Sequence, residues 1–271
     1  YNIHDEESGF LNPLPKKIAL QNVSKTFGSR LALDKLSLSI EEGETVTVIG
    51  PTGCGKTTIL NMVAGFTTPS TGQVLVDGIE IDGPNPQRGF MFQRPTLLPW
   101  LKVADNVEFP VRYGRLQSKP LNAKERADAT AHYLNSVGLS DAWNLYPHQM
   151  SGGMQSRAAL ARLLMAESSV LLMDEPFAAL DAQTRFSMQQ LLKRVVKTEG
   201  LRTVLFITHD VEEALLISDH VFLMSAAPGR IVRHVEVPFR GHEDYRDIVL
   251  KAEFTELKHE LIDQLERLVP S

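Results

Sequence analysis

Residues 50–58 read GPTGCGKTT and match the pattern G-x-x-x-x-G-K-[ST] at Gly50, Gly55, Lys56 and Thr57. A β-branched run, TVTVI, leads into this stretch, and helix-forming residues follow it as far as Ala64. In such a setting glycines let backbone N–H groups surround phosphates, a lysine reaches the β and γ phosphates, and a Ser/Thr hydroxyl binds Mg²⁺. The stretch therefore predicts an α/β fold with a phosphate-binding loop (P-loop) between a strand and a helix.

Every residue of the P-loop is a candidate contact for a nucleotide. The set is Gly50, Pro51, Thr52, Gly53, Cys54, Gly55, Lys56, Thr57 and Thr58. Cys54 would act as a nucleophile only beside a basic partner. Because the sequence implies no such partner, an inert small residue is the favoured interpretation. An accessible thiol that makes the site sensitive to alkylation is the alternative.

Strand-like and helix-like segments alternate on both sides of the P-loop. IALQNV and LSLSI precede it, a β-like pair follows near Gln73–Val76 and Gly89–Phe92, and VLLM and TVLFIT later alternate with helical patterns. Such alternation is typical of a parallel sheet covered by helices. Helical patterns fill residues 105–140, which predicts a helical subdomain inserted at about residues 94–152. We expect a P-loop NTPase fold with this insert and a small antiparallel β subdomain.

The predicted boundaries are a flexible N-terminal arm over residues 1–17, a P-loop domain over residues 18–240 and a helical tail over residues 241–271. Apolar residues of the tail recur at spacings of three and four, which predicts one helix face. They are Leu250, Phe254, Leu257, Leu261, Leu265 and Leu268. Docking of this face on the chain's own domain is favoured, and contact with a second copy or a membrane component is the alternative.

The composition restricts the classes of partner. The chain has 271 residues, a formal net charge of -5 and 43% hydrophobic residues, and its pI is about 5.9. An acidic balance argues against a broad nucleic-acid surface. Cys54 is the single cysteine, which excludes an intrachain disulfide and fits a reducing compartment. No apolar run is long enough to span a bilayer and the N-terminus lacks a signal pattern, so we expect any membrane role to depend on a partner.

A second group of polar residues follows two other predicted strands. Asp174 and Glu175 come directly after VLLM, and His209 follows TVLFIT. Since the carboxyl ends of parallel strands meet at one edge of a sheet, we expect these residues beside the P-loop. Asp174 would bind Mg²⁺, and Glu175 would orient or deprotonate the attacking water, which contributes about 10²–10⁴-fold to a rate. His209 would contact the γ-phosphate, and a capping or surface role is its alternative.

The stretch SGGMQSR, residues 151–157, predicts an anion site of a different kind. Ser151 precedes two glycines and a run of good helix formers. Exposed backbone N–H groups and the helix dipole favour an anion at such a helix start. The P-loop lies about a hundred residues earlier, so the sequence presents two anion sites with no obvious reason for the second.

These stretches, in this order, resemble the ATP-binding cassette (ABC) family over nearly the whole chain. Phe27 matches the aromatic residue that stacks on adenine, and Gln93, in FMFQRPTLLPW, matches the glutamine that senses Mg²⁺ and the attacking water. MSGGMQSR matches the family signature, and AALD at residues 178–181 matches the D-loop. The resemblance implies Lys56, Gln93, Glu175 and His209 as catalytic residues and Thr57, Gln93 and Asp174 as magnesium ligands. Met150, Ser156 and Ala178 depart from the usual pattern, but none removes a phosphate contact.

The resemblance also implies why there are two anion sites. In the family, the signature serine and glycines bind the γ-phosphate of an ATP held by a second cassette. Ser151, Gly152 and Gly153 would then complete the site of a head-to-tail partner, most simply a second copy of this chain. Asp181 would lie at the interface between the two cassettes.

A finer resemblance concerns the membrane partner and the solute. FQRPTLLPWLKVADNV and SAAPGRIVRHVEVPF are similar to the importer branch for nitrate, sulfonates, taurine, cyanate and bicarbonate. Leu97, Leu98 and Trp100 are candidates for contact with transmembrane permease subunits, and ordinary core packing is their alternative. The resemblance implies a peripheral subunit at the cytoplasmic face of a bacterial inner membrane, served indirectly by a periplasmic binding protein.

The expected function is ATP hydrolysis that powers import of a small anion, with ATP and Mg²⁺ as cofactors and no nucleic-acid partner. A cassette ATPase without a transport role, acting on nucleic acid or in assembly, is the first alternative. A P-loop kinase is the second, although a kinase has no use for the signature helix. The TLLPW stretch favours the importer over both.

Overall fold

The computed structural model describes residues 16–114, 121–178, 180–198, 202–239 and 245–268. The elements before the helical insert are β1 (Lys16–Phe27), β2 (Arg30–Glu41), β3 (Thr45–Ile49), α1 (Lys56–Ala64), β4 (Thr71–Val76), β5 (Ile79–Glu80) and β6 (Arg88–Met91). Those that follow are α2 (Val103–Tyr113), α3 (Ala123–Ser136), α4 (Gly152–Met165), β7 (Val170–Asp174), α5 (Ala182–Thr198), β8 (Thr203–Ile207), α6 (Val211–Ile217), β9 (His220–Met224), β10 (Ile231–Glu236), α7 (Tyr245–Val249) and α8 (Ala252–Leu268).

Two sheets form the framework. A four-stranded antiparallel sheet has the order β2-β1-β4-β5, and a six-stranded sheet has the order β10-β9-β3-β8-β7-β6. In the larger sheet β9, β3, β8, β7 and β6 run parallel, and β10 pairs antiparallel with β9. Every residue of β3 and β8 is buried, as expected for parallel strands covered on both faces. The predicted α/β fold with an additional antiparallel sheet is confirmed.

Strand register brings the carboxyl ends of four parallel strands to one edge. Asp174 pairs with Ile207, Ile207 pairs with Val48, and Met91 pairs with Met173. The P-loop, residues 50–58, leaves this edge from β3. The segments after β8, β7 and β6 leave it alongside. One edge of the sheet therefore collects the chemistry-bearing loops.

The predicted insert is helical in the part of the chain that the structure describes. Between residues 94 and 152 the described residues form α2, α3 and two short 3₁₀ turns, and they form no strand. Asn122 starts α3 with a capping box, in which its side chain accepts from the backbone of Glu125 while the Glu125 carboxylate accepts from the Asn122 backbone. Val107, Leu134 and Leu160 belong to one buried cluster with the sheet residue Met173, so the insert shares its core with the sheet.

Three predicted details differ from the structure. β1 begins at Lys16, two residues before the predicted boundary at residue 18, because Lys17 is buried and its ammonium bonds to Asp77. The rest of the predicted arm, residues 1–15, lies outside the described residues. The two β-like segments after α1 are both strands and differ from the prediction only in their bounds: β4 covers Thr71–Val76 in the antiparallel sheet, and β6 covers Arg88–Met91 at an edge of the larger sheet.

The tail helix docks on the chain's own domain, as predicted. Phe254 and Leu261 of α8 are buried in a cluster with α6 and β9 residues, including Leu215 and Val221. Leu250 is the third difference: it lies in the turn between α7 and α8 and is 82% exposed. α7 ends before Leu250 and α8 begins after it, so Leu250 does not continue the apolar face of α8. Within the described ranges no helix is long and apolar enough to cross a membrane.

Candidate nucleotide-binding and hydrolysis site

Lys56 lies at the centre of the P-loop. α1 begins at this residue, as predicted, and its ammonium donates to the carbonyl oxygens of Gly50 at 2.7 Å and Pro51 at 2.9 Å. The side chain is buried against the P-loop, which would also bind the phosphates. An incoming polyphosphate would replace the two carbonyls as the partner of the ammonium, because the negative charge of phosphate oxygens attracts the ammonium more strongly than neutral carbonyl oxygens do.

Gly55 and Gly50 are required by close packing beneath the loop. Gly55 has a φ of +104°, and a Cβ there would lie 2.6 Å from Cδ2 of Leu33. A Cβ on Gly50 would lie 3.0 Å from Cβ of Met224. Gly53 has a φ of +76° with open space around it, which leaves that part of the loop accessible.

Cys54 is buried inside the loop, with 1% of its surface exposed. Burial raises the pKa of its thiol, although the Lys56 charge opposes the shift. A buried neutral thiol is a poor nucleophile. The structure thus favours the inert interpretation of Cys54, and the alternative of an accessible thiol is wrong.

Gly229 supports the P-loop from a distant part of the chain, and the sequence analysis did not identify it. A Cβ on Gly229 would lie 2.1 Å from the carbonyl oxygen of Cys54. Gly229 also pairs with the β2 region, donating to Ala32 at 2.8 Å and accepting from Asp34 at 3.1 Å. The Pro-Gly pair at residues 228–229 indicates a turn but not what the turn contacts.

Thr57 and Asp174 come together at the edge of the sheet. The Thr57 hydroxyl donates to Oδ1 of Asp174 at 3.2 Å. Burial raises the pKa of Asp174, and the hydrogen bond from Thr57 partly offsets that rise. A hydroxyl and a half-buried carboxylate are hard oxygen donors of the kind that Mg²⁺ prefers, and a cation there would favour the ionised carboxylate. The two residues fit a magnesium site.

Glu175 lies next to two other predicted site residues, His209 and Gln93. Its Oε2 lies 3.1 Å from Nδ1 of His209 and 3.5 Å from Nε2 of Gln93. Its backbone φ is +44°, a left-handed conformation that is uncommon for glutamate, and its N–H donates to the Ile207 carbonyl at 3.0 Å. Backbone strain of this kind is often found at functional sites. The structure brings together Gln93, Glu175 and His209, which the sequence analysis selected separately.

The signature stretch begins α4. Ser151 is the N-cap, and its hydroxyl accepts from the Met154 backbone N–H at 3.3 Å. Gly153 approaches α5 so closely that a Cβ would lie 2.7 Å from Cγ2 of Thr184. Thr184 in turn donates from its backbone and its hydroxyl to the carboxylate of Asp181, at 3.0 and 2.7 Å. These hydrogen bonds lower the pKa of Asp181.

The predicted site residues thus fall into two groups. One contains the P-loop, Asp174, Glu175, His209 and Gln93. The other contains Ser151, Gly152, Gly153 and Asp181. No hydrogen bond among the described residues joins the signature, residues 151–153, to the P-loop.

Phe27 stands apart from both groups, at the end of β1. Its ring is 52% exposed, and the Lys25 ammonium lies over it, 5.0 Å from the ring centroid. An exposed aromatic face of this kind is able to stack on a purine. Stacking of Phe27 on adenine stays a prediction.

The TLLPW stretch forms a fixed loop with an exposed tip. The buried side chain of Asn106 accepts from the Leu98 N–H at 2.7 Å and donates to the carbonyls of Leu98, Leu101 and Lys102, each at 3.1 Å. Leu97 packs against the core, which agrees with ordinary core packing, the alternative to a partner contact for that residue. Trp100, by contrast, is 70% exposed.

A cleft of about 230 Å³ lies between β6 and α4, next to this loop. Phe92, Arg94, Thr96 and Arg162 are among the residues that line it. Arg162 donates to the carbonyl and hydroxyl of Thr96 at 2.8 and 2.9 Å. This contact attaches the signature helix to the segment that follows Gln93.

The fold, with its phosphate-binding loop beside the carboxylates of Asp174 and Glu175, defines a P-loop ATPase of the cassette class. The model of the ABC transporter family matches residues 33–178. The chain belongs to the ABC transporter family.

Similar proteins cover most of the chain. A putative ATP-binding protein of Brucella abortus biovar 1 (strain 9-941) is 44% identical, over 90% of this chain and 91% of its own length. The taurine import ATP-binding protein TauB of Jannaschia sp. (strain CCS1) is 41% identical, over 92% and 93% respectively. The dimeric post-hydrolysis structure of the ATP-binding cassette MJ0796 bound to ADP and Pi is 31% identical, with a TM-score of 0.71, over 83% of this chain and all of that one.

Proposed function

We propose that this chain is the ATP-hydrolysing subunit of a bacterial ABC importer. The observation that carries the proposal is the Glu175 carboxylate, which lies between His209 and Gln93 at the sheet edge from which the P-loop also leaves. The taurine import relatives support the direction of transport.

Hydrolysis would proceed by attack of water on the γ-phosphorus. Glu175 accepts a proton from the water as its oxygen bonds to phosphorus, and the bond to the β,γ-bridging oxygen breaks to give ADP and phosphate. Lys56 stabilises the negative charge on the phosphate oxygens, and His209 holds a γ-phosphate oxygen by a hydrogen bond. Gln93 orients the water through its amide.

Thr57 and Asp174, with the amide oxygen of Gln93, would hold Mg²⁺. The ion supplies charge neutralisation on the β and γ phosphates when bound. The contact between Thr57 and Asp174 supports this assignment, since both are oxygen donors at the same end of the P-loop.

Two copies would share two ATP molecules head to tail. The separation of the site residues into two groups supports this arrangement, because the group around Ser151 offers an anion site with no described contact to its own P-loop. The dimeric structures of a cassette 31% and 32% identical to this chain support it further. ATP binding would close the dimer and hydrolysis would reopen it.

The membrane partner would be a pair of transmembrane permease subunits, with the chain bound peripherally at the cytoplasmic face of the inner membrane. Trp100 on its fixed loop and the neighbouring cleft are the proposed contacts. Aromatic residues are frequent anchors of protein interfaces. The solute would be a small anion such as nitrate, a sulfonate, taurine, cyanate or bicarbonate, delivered by a periplasmic binding protein.

Replacement of the base tests the chemistry. Glu175→Gln should lower kcat by at least about 10²-fold, because general-base assistance contributes about 10²–10⁴-fold. Phosphate release from ATP measures the rate. Glu167→Gln is a matched control, since Glu167 is also a glutamate with positive φ (+52°) but lies on the surface after α4. Hydrolysis by Glu175→Gln at the wild-type rate would show that Glu175 is not the base.

Co-purification tests the transport role. A tagged copy recovered from native membranes should bring a multispan membrane protein with it, and Trp100→Ala should recover less of that protein at equal expression. Soluble partners or nucleic acid in place of a membrane protein would leave the ATPase chemistry intact and overturn the importer.

A further inference from the structure

Two contacts one helical turn apart join α5 to the segment that carries His209. Nη1 of Arg185 lies 3.6 Å from Oδ2 of Asp210, and Nε2 of Gln189 donates to Oε1 of Glu213 at 2.9 Å. Asp210 directly follows His209, and its other carboxylate oxygen accepts from the Glu213 N–H at 3.1 Å to cap α6. A shift of the first turn of α5 would therefore move the residue next to His209.

The same guanidinium also holds the D-loop. Nη2 of Arg185 donates to the carbonyl oxygen of Leu180 at 3.1 Å. Its Nε is buried without a hydrogen-bond partner among the described residues, and the guanidinium is held by the hydrogen bond to Leu180 and the ion pair with Asp210. A guanidinium is a rigid planar fork, and one fork here spans two segments that are distant in sequence.

The D-loop end of this connection reaches the signature. Asp181 follows Leu180, its carboxylate is bonded to Thr184, and Thr184 contacts Gly153. At the other end, His209 contacts Glu175. A continuous series of contacts and adjacent residues thus joins the group around Gly153 and Asp181, which would face a partner's ATP, to the group around Glu175, which would hydrolyse the chain's own ATP.

The pair between Arg185 and Asp210 contributes little to folding. Both side chains are about one-third exposed, and exposed ion pairs with this separation add little stability. The cost of misplaced catalytic groups is much larger, since small displacements can reduce a rate by about 10²-fold. The geometry therefore favours a role in positioning over a role in stability.

We propose that Arg185 is a positioning residue that couples the D-loop to His209. Contact of the D-loop with a partner cassette would set the placement of His209 against Glu175, so that the chain hydrolyses its own ATP only when the partner is correctly seated. The inference rests on the proposed head-to-tail dimer and adds the residue that connects its two sites within one chain.

Steady-state ATPase kinetics test the proposal. Arg185→Gln and Arg185→Lys should each lower kcat by about 10- to 100-fold while the KM for ATP changes less than about 2-fold. The lysine variant should not rescue the rate, because a single ammonium cannot hold Leu180 and Asp210 together. Asp210→Asn should also lower kcat, and the double variant with Arg185→Gln should lose no more than the worse single variant.

The controls distinguish an effect of Arg185 on the position of His209 from a general effect of losing an ion pair and from a failure to form the dimer. Arg126→Gln removes a comparable ion pair, with Glu108 in the helical insert, and should keep wild-type kcat. In a Glu175→Gln background, Arg185→Gln should still form an ATP-dependent dimer at the same ATP concentration. Wild-type kcat in Arg185→Gln, or full rescue by lysine, overturns the inference and leaves the proposed function intact. Absence of a dimer in Glu175→Gln alone overturns the proposed function.

Discussion

Gly229 has no side chain, yet its close contact with the P-loop helps to set the conformation of that loop. It lies against the Cys54 carbonyl, and its backbone is held by the β2 region on both sides. The P-loop is therefore supported from below by a segment that joins β9 to β10. The loop's conformation depends on this contact as well as on its own glycines.

Gly229→Ala should displace the P-loop. The added Cβ would meet the Cys54 carbonyl at 2.1 Å, and overpacking of this kind costs about 1–3 kcal/mol. We expect at least about a 10-fold loss of ATP affinity, measured by calorimetric titration. Gly83→Ala is the matched control, since nothing lies within 4 Å of a Cβ there. Equal ATP affinity in both variants would show that Gly229 does not support the loop.

Residue-level prediction succeeded where a motif and a strand end coincide. The positions of Lys56, Asp174 and Glu175 follow from short local patterns next to buried strands, and the structure places them at one edge of the sheet. Gly229 could not be predicted, because its significance comes from a contact with residues about 175 positions earlier in the chain. The roles of all these residues in catalysis remain predictions.

Among the elements, α8 is held by a few well-buried side chains and by polar contacts to α6. Leu261 is fully buried in its cluster. The Lys258 ammonium pairs with the Glu212 carboxylate, which also accepts from the Tyr245 hydroxyl at 3.0 Å. The hydroxyl's pKa is raised well above its ordinary value by burial and by Glu212. The period of apolar residues predicted this helix, but not the break between α7 and α8 at Leu250.

Leu261→Ala should destabilise the protein by about 2–5 kcal/mol, because it removes a fully buried side chain. Leu250→Ala makes the same chemical change at an exposed position and should change stability by less than about 0.5 kcal/mol. Urea unfolding of the two variants measures the difference. Equal stability of the variants would contradict the docking of α8.

Glu213 connects α6 to α5 from a buried position. Burial raises the pKa of its carboxyl, although hydrogen bonds from Thr208 and Gln189 oppose the rise. The unfolded chain therefore releases this proton at a lower pH than the folded chain does, and rising pH lowers the contribution of Glu213 to stability.

Glu213→Gln should remove that pH dependence. Its melting temperature relative to wild type should be lowest near pH 4 and should rise as the pH increases through the folded pKa, since only the wild type then loses stability. Thermal unfolding from pH 4 to pH 8 measures the trend, and the exposed Glu256→Gln provides the control. A difference that does not change with pH would show that Glu213 ionises normally.

At the scale of the whole molecule, the predicted site residues form two separate hydrogen-bonded groups within one chain. The alternation of strands and helices predicted the α/β class, but the strand order β10-β9-β3-β8-β7-β6 could not be read from the sequence, because no local pattern specifies which strands become neighbours. The head-to-tail dimer stays a prediction from family resemblance, and the lack of a hydrogen bond between residues 151–153 and the P-loop among the described residues is consistent with it.

The mass of Glu175→Gln in solution tests this account most directly. With ATP and Mg²⁺, size-exclusion chromatography with light scattering should give about twice the chain mass of 30.2 kDa. With ADP it should give the single-chain mass, because in the proposed dimer the γ-phosphate would join the P-loop of one chain to Ser151 of the other. A single-chain mass for protein that demonstrably holds ATP would contradict the head-to-tail dimer.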